Sequence, residues 1–279
     1  MLSKVNIPRQ IKRLRAWRLG RINARKEARA QRRIRDNLEK TGFRRLNSLF
    51  RKYIGEVVTD YRDSSLWEVQ VQGRKLQAEL RPVLVAHYRR IFQSVYKFNE
   101  ERYGNSVKDI SAEVFGVNRD IENIVLAYIA GRESLIVNIS ENMARAIDKI
   151  IINGRTEGLS VRQIAIAISD KIPTIARFRA NTIARTETHN AASFANHSYH
   201  STLGDQLGLT MVKRWVATND LRTRPAHSTA NGQTVGMDED FIVGGLPMKH
   251  AGDPRGGAKN NVNCRCVIVY VDERDSLDD

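Results

Sequence analysis

Along the first two thirds of the chain, apolar residues recur every third or fourth position, and near its end they alternate over two short stretches. Over residues 76–103 the series Leu76, Leu80, Val83, Leu84, His87, Ile91, Val95 and Phe98 keeps the helical repeat. Pro82 either opens this helix or bends it, and Gly104 supplies a stop. The same repeat predicts helices over 120–130 and 134–152, the second ended by Asn153 and Gly154. Ser160 and Gln163 have capping-box spacing ahead of Ile164, Ala165 and Ile168, and Pro173 is expected to open a last long helix through Ile175, Phe178, Ile183 and Phe194. Residues 7–45 show only a thin apolar stripe, Ile7, Ile11, Leu14, Trp17, Ile22, Ile34 and Leu38, set among arginines. That pattern predicts a basic helical arm.

The texture changes at Gly204, after which glycine and proline become frequent. Residues 211–218 alternate, with Val212, Arg214 and Val216 on one side and Lys213, Trp215 and Ala217 on the other, and 266–271 form a second strand-like run. Between them lie about 45 residues with little periodicity, a length uncommon in compact domains unless specific contacts pin the loop. The expected fold class is α+β: a mainly α-helical N-terminal two thirds with a basic helical arm, then a small C-terminal α+β unit with few strands and long Gly-rich loops. The expected divisions are an arm over 1–52, a helical region over 53–133, a C-terminal domain over 134–271 and an acidic tail over 272–279.

Charge sharpens this picture. The formal net charge is +15, and residues 1–52 alone hold 18 Lys and Arg against three acids, so the whole excess sits in the arm. A segment so charged repels itself unless a partner neutralises it. Lys12, Arg13, Arg15, Arg18, Arg21, Arg25, Lys26, Arg29, Arg32, Arg33, Arg35, Arg44 and Arg45 are the candidate contacts to DNA or to an acidic protein surface. Aromatic residues are sparse there, so DNA would be held by its phosphates without regard to sequence. No apolar run reaches the roughly 20 residues of a membrane span, and the N-terminus lacks the apolar core of a secretory signal. With two cysteines, no disulfide scaffold is expected and synthesis in a reducing cytosol is the default.

Candidate chemistry gathers where the glycines do. Cys264 and Cys266, with His227 and His250, are a candidate zinc site, because two thiolates on one side of an extended segment can share a tetrahedral ion that staples a loop poor in apolar residues. No other cofactor is suggested. A second arrangement makes His227 a general base oriented by Asp220, with arginines holding a phosphate. A third, preferred on the residue types, is an ion-pair lattice in which Arg185 and Glu187 on the last helix meet Asp220 and Arg222 in the loop. His189, Ser193, His197 and His200 share a face of that helix, more in keeping with a polar packing face than with a ligand set.

Taken in order, Ala184-Arg185-Thr186-Glu187-Thr188 with Asn190, Trp215, Asp220-Leu221-Arg222-Thr223-Arg224 with His227, Gly252-Asp253-Pro254 and Asn263-Cys264-Arg265-Cys266 resemble the phage Mu protein F-like head morphogenesis proteins, minor capsid proteins of tailed bacteriophages. The resemblance covers about residues 135–271. It implies a virion component and no catalytic residues: made in the bacterial cytoplasm, carried in the capsid interior near the portal vertex, and in contact with portal protein, major capsid protein and packaged double-stranded DNA. It marks Arg185, Glu187, Asn190, Trp215, Asp220, Arg222, Asp253 and Asn263 as a structural signature. The readings from other classes are an effector enzyme, nuclease or toxin-like, delivered with the DNA, and a free, sequence-indifferent DNA-binding protein.

Overall fold

A computed structural model describes residues 22–103, 117–274 and 277–278. Lys12, Arg13, Arg15, Arg18 and Arg21 of the arm, the expected stop at Gly104, and Asp275 and Asp279 of the acidic tail lie outside them. After a two-residue strand β1 (Ile22–Asn23) come five long helices: α1 (Ala24–Ser64), α2 (Val69–Tyr103), α3 (Val117–Ala130), α4 (Glu133–Thr156) and α5 (Val161–Leu207). Short elements follow: β2 (Met211–Val216), α6 (Pro225–Ala230), β3 (Thr234–Gly236), β4 (Phe241–Val243), β5 (Leu246–Met248), a 3-10 turn (Pro254–Gly256), α7 (Gly257–Asn261), β6 (Val267–Asp272) and β7 (Leu277–Asp278). The α+β class read from the sequence holds, with helix dominant and a few antiparallel strands near the C-terminus.

Local chemistry explains the helix starts. The Asn23 side chain accepts the Lys26 backbone N–H at 2.8 Å and caps α1. At α5, Ser160 Oγ accepts the Gln163 N–H at 3.3 Å while Gln163 Oε1 accepts the Ser160 N–H at 2.8 Å, a reciprocal capping box. That box, and not Pro173, opens the helix. Pro173 lies inside a continuous 47-residue element, as Pro82 lies inside α2.

Gly154 also departs from expectation, because α4 runs through it to Thr156. It is buried, and a Cβ built on it would stand 2.6 Å from Ile164 Cγ1, so glycine is needed there for close helix approach and not as a stop. Gly154→Ala should therefore lower stability by about 1–3 kcal/mol through overpacking. Urea unfolding checks this, and Ile164→Ala in the same chain should make the added methyl cheaper.

The chain forms two compact units. The helical unit comprises Asp36–Phe92 and Asn118–Ala191. Its core holds Phe50 and Tyr53 from α1, Leu80 and Leu84 from α2, Ile129 from α3, Ile147 from α4 and Ile168 from α5, all buried. Ala176, Ala180 and Ala184, each fully buried at a spacing of four, give α5 a smooth face that lets neighbouring backbone come close.

The strand-bearing unit comprises Met1–Arg35, Gln93–Val117 and Ala192–Asp279. Its main sheet has the order β3-β2-β6 and is antiparallel, with Lys213 opposite Tyr270 and Trp215 opposite Ile268. Smaller pairs are the β4-β5 hairpin and the parallel β1-β7 ladder. β6 is buried on both faces. Val267, Val269 and Val271 pack with Val216 against Ala24 and Ala28 of α1, while Ile268 and Tyr270 join Trp215, Phe241, Met248 and both cysteines in a second core. No helix among the described residues is long and apolar enough to cross a membrane.

Candidate metal centre and basic cleft

The segment that looked like a long loop is held by side-chain to backbone bonds around three buried residues. α6 begins at Pro225, whose fixed φ suits the first helical position, and carries His227 into the core. Asn263 takes a left-handed φ of 57°, turning the chain so that Cys264 and Cys266 point inward while Arg265 points out. His227 Nδ1 then lies 3.2 Å from Cys266 Sγ and 3.6 Å from Cys264 Sγ. All three side chains are buried, their ligand atoms fall within 4.8 Å of one another, and no other such trio is found among the described residues. His250, the fourth expected ligand, is not part of this group. Its ring packs instead on Phe194 at 5.7 Å and on His197 at 5.6 Å, with Nδ1 3.2 Å from the Ala251 carbonyl.

The hydrogen bond with the neighbouring Cys264, ahead of burial, pushes the Cys266 thiol well above its ordinary range. Trp215, fully buried, sets its ring edge-on to His227 at 5.7 Å and to Phe241 at 5.4 Å, walling the trio from solvent. Arg35 donates to the Cys266 carbonyl at 3.4 Å and the Arg265 carbonyl at 3.3 Å, so this arm residue serves the fold of its own chain.

The signature residues also find partners, though not the expected ones. Arg185 Nε donates to Glu39 at 3.0 Å. Glu187 is buried; it accepts from the Tyr88 hydroxyl at 2.7 Å and has Arg132 at 3.9 Å, and burial keeps its carboxyl raised despite both partners. Asp220 receives both guanidinium nitrogens of Arg265, the Arg222 backbone N–H at 3.0 Å and the Thr223 hydroxyl at 3.2 Å, and Arg265 holds it well below the usual carboxylate range. The expected lattice linking Glu187 to Asp220 is therefore replaced by local networks. Nor is the general-base pair formed, since Asp220 is taken by Arg265 and His227 Nδ1 faces the sulfurs. Asp253 is buried and accepts from the backbone N–H of Lys249 at 2.7 Å and of Arg255 at 2.9 Å; burial alone would raise its carboxyl, but these bonds and the Arg255 guanidinium hold it low. Asn190 and Trp215 are buried, and Asn190 Oδ1 has no hydrogen-bond partner.

His197 and His200 pack on a shared aromatic ring, where their spacing had suggested a polar packing face. His200 stacks on Tyr270 at 4.4 Å and donates from Nδ1 to the Asn196 carbonyl at 2.8 Å, while His197 sits 6.0 Å from the same ring. One residue escaped sequence reasoning: Lys213 is fully buried, with Nζ donating to the Met237 and Lys249 carbonyls at 2.9 Å each. Burial, ahead of the nearby Lys249, lowers it to about 8. Its alternation with Trp215 was the available signal, overridden by the habit of placing lysine outside.

A cleft of about 480 Å3 opens on the other side of the sheet, lined by Arg25, Arg29, Arg32, Arg214, Asn219 and Asn231 among others. Arg25, Arg29 and Arg32 follow the helical repeat of α1 and Arg214 comes from β2. Arg32 also donates to the Ala217 carbonyl at 3.1 Å. Arg25 and Arg29 are exposed, as are Lys26, Arg33, Arg44 and Arg45 elsewhere on α1. Arg214, Asn219 and Asn231 were not foreseen as part of a basic site; nothing in local spacing links them to the arm.

Residues 145–269, which carry the cysteines, His227 and the whole signature, match the phage Mu protein F like family. Over this segment the chain is similar to that family. Two curated relatives extend the likeness. Minor head protein GP7 of Bacillus phage SPP1 is 27% identical over 244 residues, 81% of this chain and 76% of that protein. The NAD(+)–arginine ADP-ribosyltransferase EFV of Enterococcus faecalis is 34% identical over 161 residues, 56% of this chain, which spans only 32% of the enterococcal protein. No solved structure gives a significant match. In the phage Mu protein F like segment, then, the ordered motifs have a structural reading: Glu187 and Asn190 in a buried polar helix face, Asp220 and Asp253 as loop caps, and Asn263 as the turn before the cysteines.

Proposed function

We propose that the chain is a minor head protein that acts structurally in head morphogenesis, inside the capsid near the portal vertex, with portal protein, major capsid protein and packaged DNA as its partners. The likeness to GP7 over 76% of that protein's length supports the class. For the DNA contact, the observation that carries the reading is the arginine-lined cleft. Four guanidinium groups gathered in one cleft suit phosphate oxygens, which arginine binds bidentately. The one aromatic lining residue, Trp215, is buried, so no base can stack there and the contact is to backbone alone.

The full chain should bind random-sequence duplex DNA with an affinity that falls steeply as salt rises. Arg25→Glu, Arg29→Glu and Arg214→Glu together should weaken binding at least about tenfold, since each phosphate contact contributes to the salt-dependent affinity. Fluorescence anisotropy in low salt reads both effects, and an unchanged affinity in the triple variant rejects the cleft as the contact. The name of the enterococcal relative motivates one second reading, an NAD-consuming enzyme. Release of nicotinamide from NAD by the purified chain would favour it over the structural role.

A further inference from the structure

We propose that His227, Cys264 and Cys266 bind one zinc ion that pins the C-terminal segment, with His227 Nδ1 and the two thiolate sulfurs as protein ligands. Zinc–sulfur bonds of about 2.3 Å and zinc–nitrogen bonds of about 2.0 Å at a tetrahedral centre place sulfur and nitrogen about 3.5 Å apart. The observed separations are 3.2 and 3.6 Å, so only a few tenths of an ångström separate the present arrangement from a metal-bound one. The donor set is equally apt, because two thiolates and an imidazole select a borderline-soft divalent ion over magnesium or calcium.

Two features of the surroundings point the same way. His227 Nε2 is buried with no hydrogen-bond partner, so the ring is not held by a hydrogen bond at its far nitrogen and its placement rests on what Nδ1 meets. The segment between His227 and Cys264 contains a three-residue strand, a hairpin of two three-residue strands, a 3-10 turn and a five-residue helix, none of which is stable alone. A metal joining residues 37 apart in sequence closes that segment as one loop, and its binding free energy then adds to folding. No fourth protein donor belongs to the group among the described residues. The sulfurs are buried behind Trp215, which argues for a fixed ion over a reactive thiol pair.

The test uses the full chain purified without chelator. Elemental analysis should give about one zinc per chain, and cobalt exchanged into the site should show the sulfur-to-cobalt charge-transfer absorption of a thiolate centre. Cys264→Ser and Cys266→Ser should each lose the metal, whereas His250→Gln should keep it, which separates this trio from the wider set expected from sequence. Metal retained by both serine variants, or lost from His250→Gln while circular dichroism shows that variant folded, overturns the ligand assignment. A folded wild-type chain with neither zinc nor a cobalt–thiolate spectrum overturns the site itself, as does a Cys264–Cys266 disulfide found by mass spectrometry in freshly purified protein. The cobalt spectrum is read on the unaltered chain, so a serine variant that fails to fold does not blunt the test.

Discussion

Taking the protein from about pH 7 to about pH 4.5 should remove most of its stability, because three histidines are buried uncharged. Burial, ahead of nearby cationic groups, lowers His87 to about 4 and His197 to about 3. Burial also lowers His200 to about 4, against the opposing bond to the Asn196 carbonyl. An unfolded histidine titrates near 6.5, so below that pH the unfolded chain takes up protons that the folded chain refuses. Stability is therefore full above about pH 6.5 and falls as pH drops toward the folded values, by about 1.4 kcal/mol per pH unit for each histidine. In the helical unit Glu187 works in the opposite sense, since its raised carboxyl gains its proton earlier in the folded state and offsets part of the His87 loss. The lowered carboxyls of Asp220, Asp253 and Asp272 add their own loss only below about pH 4. Thermal melts at stepped pH should show Tm falling steadily between about pH 6.5 and 4.5. A Tm that stays level over that range would sink the idea; with His197→Gln and His200→Gln together, the strand-bearing unit should lose most of its pH dependence.

Replacing Glu187 by Ala is expected to cost about 3–5 kcal/mol, the penalty for removing one member of a buried charged pair. The Tyr88 hydroxyl loses the acceptor it now holds at 2.7 Å, and Arg132, only 13% exposed, is left without its carboxylate. Glu187→Gln keeps an acceptor for Tyr88 and should cost clearly less. Denaturant unfolding of the two variants gives the comparison. If Ala and Gln prove equal, the charge and not the hydrogen bond dominates; a loss below about 1 kcal/mol for Ala would mean that water replaces the carboxylate at this depth.

How far the sequence reached depends on the range of the interaction involved. Helices α2 to α5 were legible because their apolar repeat and capping box are local, and β2 and β6 because alternation is local too. The errors came from local signals whose cause was distant. Gly154 resembled a stop, yet it is demanded by Ile164 on the next helix. Pro173 resembled a start, but the box at Ser160 had already nucleated the helix. Of the four residues grouped by chemistry, the cysteines and His227 lie together, whereas His250 lies apart against Phe194 and His197, an arrangement that no spacing announces. The basic arm was visible as charge, but its division into cleft-lining Arg25 and Arg29 and fold-bound Arg35 needed the third dimension.

The main sheet has a consequence for how the polypeptide emerges from a ribosome. Gln31 reaches the Ile268 carbonyl across 237 residues and Arg32 reaches Ala217 across 185, and β6, covered on both faces, is made long after α1 and β2. Until it exists, Ala24 and Ala28 lack the three β6 valines that complete their cluster, and β2 lacks the strand that completes its longer ladder. The main sheet of the strand-bearing unit is thus closed by β6, well after α1 and β2 have been made. Nascent or truncated chains that stop before Val267 would display an apolar helix edge and an unpaired strand, the surfaces that chaperones recognise.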